Sequence, residues 1–237
     1  MISHQLLIEG AATFGLVLDE KQIAKFDTYG SFMLEYNENV NLTAITDPDE
    51  IVIKHFIDSI APAGLITLKQ RASLIDVGTG AGFPGIPLEI MRPDLRVTLL
   101  DSLQKRLDFL ASLSEQLGQE NRLVHARAEQ AGANDGLRGH FDYATSRAVA
   151  QMATLCEYCL PLVRVGGAML ALKGPDCAGE VAAAATAIRL LGGGVPRLIE
   201  YALPRGDGRT LVVISKERPT PARYPRQRVN LSQVPLV

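Results

Sequence analysis

The 237-residue chain reads as an α/β protein: a mostly parallel sheet interleaved with helices and preceded by a helical extension. Three observations predict this. From Ser73 onward short apolar runs alternate with segments of helical period. A glycine-rich turn, GTGAGFPG at 78–85, joins the first run to its helix. Residues 1–65 carry helix-start signals instead.

In the extension, apolar residues after Asp19 recur at Ile23, Phe26, Met33, Tyr36 and Val40, mostly on one helical face. Asp19 and Gln22 have the spacing of a capping box, in which each side chain satisfies a free backbone N–H. TDPDEIVIKHFIDSI repeats the device, with Asp47 as cap, Pro48 at the first helical position and Glu50 closing the box. The Asn-rich NENVNLTAI connects the two. Beyond it, SLIDV, RVTLLD, RLVHA, FDYATS and AMLALK are five strand candidates with helical segments between them. Such alternation implies a parallel sheet with right-handed crossovers. After the helical EVAAAATAIRLLG, the runs RLIEYAL and TLVVISK, joined by PRGDGR, predict a final hairpin with an antiparallel strand. Ligands in such sheets sit at the carboxyl ends of the strands, near the switch point. The expected organisation is a helical extension over 1–70, a sheet domain over 71–218 and a basic arm, flexible or docked, over 219–237.

Composition narrows the class. Hydrophobic residues make up 47% and charged residues 21%, as expected of a globular protein with a sizeable core. No apolar run reaches the roughly 18 residues of a membrane span, and the start, MISHQLLIEG, lacks a basic region, so neither a membrane anchor nor a secretory leader is expected. A cytoplasmic location follows. Three cysteines are too few for a disulfide framework, and Cys156-x-x-Cys159 lacks the second ligand pair of a zinc site. No metal is expected, and the pair reads as two small apolar residues on a helix.

The net charge of −2 hides an asymmetry: residues 1–60 carry ten acids against three lysines, and residues 203–228 carry seven bases against two acids. The basic end either binds phosphates by counterion release or forms a solvated tail.

Within the glycine turn, Gly80, Gly82 and Gly85 spell G-x-G-x-x-G, and Asp101 lies about 20 residues on, as in dinucleotide sites. The better parse is D-x-G-x-G-x-G: Asp76, Gly78, Gly80, Gly82. A carboxylate at the strand end repels the pyrophosphate that a dinucleotide brings to the helix N-terminus. It suits S-adenosylmethionine, which carries a sulfonium and an amino group and no phosphate. The glycines let the backbone approach that cofactor without a Cβ between. Asp101 is placed to accept the ribose hydroxyls, and Ala128 and Glu129, one strand later, to read the adenine edge.

These segments, IDVGTGAGFPGIPLEI, LLDSLQKRLDFL, RAEQ, SRAVA and ALKG, closely resemble the RsmG family of bacterial small-subunit ribosomal RNA methyltransferases, also called glucose-inhibited division protein B. The likeness extends to YNENVNLTAITDPDEIVIKHFIDSI and GDGRTLVVISKERPTPARYPR, although Tyr36 stands where the family often has Trp. It implies the class I S-adenosylmethionine-dependent methyltransferase fold: a Rossmann-like, seven-stranded, mostly parallel sheet with helices on both faces and an N-terminal helical extension. It implies methylation of guanine N7 in the 530 loop of 16S ribosomal RNA, with the 30S subunit or its precursor as partner. No obligate protein partner is evident. It places Gly78, Phe83, Ala128, Glu129 and Arg147 in the cofactor site, with Asp101 and Ser102 as ribose contacts.

Guanine N7 carries an in-plane lone pair and no proton, so in-line displacement needs no general base and orientation supplies most of the rate. FDYATSRAVA lacks the Asn/Asp-Pro-Pro-aromatic turn common in enzymes that methylate exocyclic amines. Arg147 and Lys173, at the ends of the fourth and fifth strands, are the candidate positioning groups; Arg147 can stack beside the cofactor or hold an RNA phosphate. RNA contacts are expected from the arm, through Arg218, Arg223, Arg226 and Arg228, with Tyr224 stacking on a base. Lys54 and His55 either line the RNA cleft or serve packing, and NENVNLT either anchors a turn or approaches the substrate. Two rival readings stand beside this one: a small-molecule methyltransferase on the same scaffold, and a non-catalytic ribosome-assembly factor that binds RNA.

Overall fold

The computed structural model describes residues 2–227, 230–231 and 233–236. The chain opens with α1 (His4–Ala12) and α2 (Glu20–Asn37). At the start of α2 both bonds of the capping box form: the Gln22 N–H donates to Asp19 Oδ1 at 2.8 Å and the Asp19 N–H to Gln22 Oε1 at 3.0 Å. α3 (Pro48–Ile51) runs through a π-helical segment, Val52–Ile57, into α4 (Asp58–Leu65). Asp47 caps α3 by accepting from the Glu50 N–H at 2.9 Å. Glu50 does not close the box. Its carboxylate turns outward to Lys54 and Arg205, because two cations one turn and one loop away outcompete a single backbone N–H.

The remainder alternates β1 (Ser73–Val77), α5 (Gly85–Met91), β2 (Arg96–Asp101), α6 (Gln104–Leu117), β3 (Arg122–His125), α7 (Ala128–Ala133), β4 (Phe141–Arg147), α8 (Met152–Cys159) and β5 (Val163–Lys173). Next come α9 (Ala178–Ala183), α10 (Ala185–Leu190), β6 (Arg197–Ala202) and β7 (Gly208–Ser215). The seven strands form one sheet, ordered β3-β2-β1-β4-β5-β7-β6, as the sequence predicts in number and class. β1 to β5 are parallel. β7 runs antiparallel to both neighbours, so the final hairpin inserts its second strand between β5 and β6.

The sheet is covered on both faces, which explains its near-continuous apolar runs. In β1, Leu74 joins the core under the N-terminal helices, α5 and α6, whereas Ile75 and Val77 join the core under α7 to α10. Cys156 and Cys159 are buried in the second core.

The arm after Pro219 is docked on α7 and α8. Arg138 donates to the carbonyls of Thr220 (2.7 Å) and Tyr224 (2.6 Å), and Arg226 pairs bidentately with Glu157 at 2.8 and 3.0 Å. Two RNA expectations are thereby corrected. Tyr224, only 7% exposed, belongs to the second core and has no face for a base. Arg226 neutralises a fully buried carboxylate instead of a phosphate. Arg223 is exposed over the Tyr224 ring, and Arg218 is exposed with Nη2 donating to the Arg189 carbonyl at 3.0 Å. Arg228 lies outside the described residues.

Candidate active site

A cavity of about 510 Å³ crosses the carboxyl ends of β3, β2, β1 and β4, in that order, within the size range of small-molecule sites. Ala126, Ala128 and Glu129 line its β3 end, Asp101 and Ser102 the β2 step, and Gly78 and Gly80 the β1 step. Arg147 and Ala148 close it at β4, where Leu42, Thr43, His55 and Phe83 reach over from the extension and the loop. The expected cofactor residues Gly78, Gly80, Phe83, Asp101, Ser102, Ala128, Glu129 and Arg147 are therefore brought together.

Asp76 and Gly82 are not on the wall. Asp76 is fully buried, and its Oδ2 accepts from the Gly85 N–H at 2.9 Å and from Thr79 Oγ1 at 2.7 Å. Burial raises its carboxyl to about 6 against the lowering effect of those two bonds. The acid holds the loop's shape rather than a ligand's charge. Gly82 is glycine for another reason: with φ at +101°, a Cβ there would lie 2.7 Å from Tyr29 Oη. That hydroxyl donates to the Ala81 carbonyl at 2.5 Å, pinning the loop to α2. Gly80 differs. At φ +61° its Cβ would meet nothing within 4 Å, so its backbone faces the cavity unshielded.

These details test which ligand fits. In a dinucleotide site the first N–H of the helix after the turn meets the pyrophosphate. Here that N–H, on Gly85, is taken by Asp76. Each arginine on the wall is also paired: Arg106 with Asp101 at 3.4 Å, Arg127 with Glu129, and Arg147 with Asp58 at 3.3 Å. Among the described residues a diphosphate loses the helix N–H that would hold it and meets no unpaired arginine on the wall, which favours a ligand without phosphate. Asp101 accepts from the N–H groups of Gly80 (3.0 Å) and Leu103 (2.9 Å), leaving outer lone pairs for a diol once the long Arg106 contact yields.

At the β4 end the π-helical segment carries His55 to the wall. π turns open a helix by one residue and recur at functional sites; here the Asp58 N–H reaches back to the Ile53 carbonyl. The His55 ring stacks on Phe83, with centroids 4.5 Å apart, and Phe83 stacks on Tyr29 at 5.2 Å. Arg147 lies over Phe83 at 4.9 Å. Its Nη1 donates to the Lys54 carbonyl at 2.8 Å, and its Nη2 faces His55 Nδ1 at 3.2 Å. Asp58, 4% exposed, completes the cluster by accepting from Tyr201 Oη at 2.9 Å. Burial first, then the Arg147 charge, lowers the His55 imidazole to about 3, with a weaker opposing pull from the Lys54 carbonyl. His55 is neutral at physiological pH.

A second cavity, about 620 Å³, adjoins the first across β4 and β5 and shares His55, Arg147 and Ala148 with it. Lys54 and Lys173 line only this one. Lys173 is not brought to the first cavity: its Nζ pairs with Glu180 at 2.7 Å and donates to the Ala150 carbonyl at 3.1 Å. Sequence reasoning missed Thr43, Thr79, Tyr29 and Asp58. Only the Asn-rich NENVNLT gave a signal. The Asn37 side chain folds that segment, accepting from the N–H groups of Leu42 (2.8 Å) and Thr43 (3.0 Å).

A sequence profile described as rRNA small subunit methyltransferase G matches residues 22–201. The chain is 44% identical over 238 residues to the ribosomal RNA small subunit methyltransferase G of Alkaliphilus metalliredigens, covering 100% of both chains. It is 48% identical over 235 residues to the protein of that name from Acetivibrio thermocellus, covering 98% of this chain and 96% of the relative. Among solved structures, a methyltransferase from Pyrococcus furiosus shares the fold, with a TM-score of 0.53 and 16% identity over 82% of this chain and 99% of that one.

Proposed function

The chain belongs to the rRNA small subunit methyltransferase G family, and from that premise we propose that it methylates N7 of a guanine in the 530 loop of 16S ribosomal RNA. S-adenosylmethionine is the methyl donor; when bound it supplies an electrophilic sulfonium methyl. The residues that hold it are those of the first cavity: Ala128 and Glu129 at the adenine, Asp101 at the ribose, and Gly78 and Gly80 along the methionine portion. This order follows the strands and leaves the reacting end at β4, beside Arg147, His55 and Thr43. The acceptor base enters from the second cavity, past Lys54 and Lys173.

The observation that carries the N7 reading is the lack of a usable base, among the described residues, where the two cavities meet. His55 Nδ1 faces an arginine donor, and burial keeps the ring from taking a proton. Asp58 is held by Arg147, Tyr201 and Arg209, and Glu180 by Lys173. Among the residues that both cavities share, His55, Arg147 and Ala148, a nucleophile with a proton to lose finds no free base, and the exposed carboxylate of Asp176 lines only the second cavity; guanine N7 has a lone pair and no proton. Displacement then depends on alignment of lone pair and methyl. The stacked Phe83, His55 and Tyr29 supply a rigid wall for it. Lys54 and the exposed Arg218 and Arg223 are the remaining candidates for RNA phosphates. The test is transfer of labelled methyl to ribosomal RNA presented naked, as 30S subunits and as 70S ribosomes, with free guanosine as control. Label in the RNA of at least one form and none in guanosine is expected. Transfer to guanosine alone would make this a small-molecule enzyme.

A further inference from the structure

Thr43 is held by more hydrogen bonds than a loop threonine requires. Its N–H donates to Asn37 Oδ1 at 3.0 Å, and its carbonyl accepts from Asn37 Nδ2 at 3.1 Å. Its hydroxyl oxygen accepts from the Ile45 N–H at 3.0 Å and lies 2.8 Å from His55 Nε2. The direction of that last bond is fixed from the far side of the ring. Arg147 can only donate, so His55 Nδ1, 3.2 Å from its Nη2, is the acceptor of the ring. The neutral imidazole therefore carries its proton on Nε2 and donates it to Thr43.

A hydroxyl has two lone pairs and one proton. Both lone pairs of Thr43 are thus occupied, and the proton has no acceptor among the described residues. Thr43 is half-buried on the wall of the first cavity, at the end where the acceptor base meets the methyl. An ordinary threonine donates or accepts as the ligand demands. This one can only donate.

We infer that Thr43 is a specificity residue that donates its hydroxyl proton to O6 of the acceptor purine, with Asn37, His55 and Arg147 positioning it. The inference rests on the guanine-N7 reading above. Guanine presents N7 and the acceptor O6 on one edge; adenine presents N7 and a donor amino group. A hydroxyl with both lone pairs occupied satisfies guanine and sets a donor against the adenine amino group. A site built for one hydrogen bond discriminates strongly against the partner that cannot make it.

The test crosses protein variants with the base at the target nucleotide of the RNA. Wild type, Thr43→Ser and Thr43→Val are assayed on RNA carrying guanine or 2-aminopurine there; the latter keeps N7 and lacks O6. On guanine, Thr43→Val should lower kcat/KM roughly tenfold to a hundredfold, the effect of one hydrogen bond in a desolvated site, and Thr43→Ser should stay within about threefold. On 2-aminopurine the wild type is already slowed, and Thr43→Val should add nothing. Thr43→Val also removes the acceptor for Ile45 and His55. An equal loss on both purines would therefore mean a purely structural role and overturn the inference, as would no loss on guanine. Methylation of another base or atom by the wild type would sink the guanine-N7 reading itself. His55→Phe, which keeps a ring against Phe83 but frees a lone pair of Thr43, should lower the guanine-to-adenine preference about tenfold; an unchanged preference counts against the relay.

Discussion

A carboxyl with one oxygen bonded to Gly85 and Thr79, and the other without a partner among the described residues, makes Asp76 sensitive to its own charge. Its folded value of about 6 lies above the ordinary 3.8, so the neutral form favours the fold. The stability contributed by this group is full below about pH 4 and is lost as pH rises through about 6. Asp76→Asn, neutral throughout, should flatten that part of the stability curve, read by denaturant unfolding from pH 4 to 7. An unchanged slope would mean the carboxyl is not held as described. The sequence revealed the acid and the glycines but not which way they face. Strand alternation puts Asp76 on the side of Leu74, under the N-terminal helices, and Gly82 beneath Tyr29 of α2. The constraint on Gly82 depends on Tyr29 of α2, a helix far upstream whose docking site no local pattern encodes, whereas Asp76 finds its partners, Thr79 and Gly85, within the loop.

At the scale of elements, the strands, the capped starts of α2 and α3 and the final hairpin were all legible, because periodicity and capping chemistry are local. The π-helical segment was not. VIKHFI has ordinary helical residues, and the side chains bonded around the segment, Arg147, Asp58 and Tyr201, come from three separate elements. The sequence left the arm either flexible or docked, because a charge pattern does not show which arginine finds a buried partner. Arg226 satisfies Glu157, which is 0% exposed. Arg226→Ala leaves that carboxylate buried and unpaired, and should cost about 2–4 kcal/mol. For a chain of this size that is a fall in Tm of roughly 5–15 °C, with S-adenosylmethionine affinity little changed. A Tm within a degree of wild type would show that the arm is not docked through this pair.

For the whole molecule, the sheet order sets the direction of the chemistry. The first cavity, which we assign to the methyl donor, crosses the ends of β3, β2, β1 and β4, and the second, which we assign to the acceptor, continues across β4 and β5, with the helical extension roofing the junction. The sequence carried the donor half clearly, since glycines and strand-end acids are local signals. The acceptor half depends on residues 42–58 folding back over β4, which only the tertiary structure reveals. The central claim is that this junction aligns a base-independent nucleophile, guanine N7, with the methyl. The measurement that tests it most directly is the position of the transferred methyl: ribosomal RNA labelled by the protein is digested to nucleosides and resolved by mass spectrometry against methylguanosine standards. The account predicts a single 7-methylguanosine, mapped to the 530 loop of 16S ribosomal RNA. Label on an exocyclic amine, on a ribose hydroxyl or on another base would contradict it.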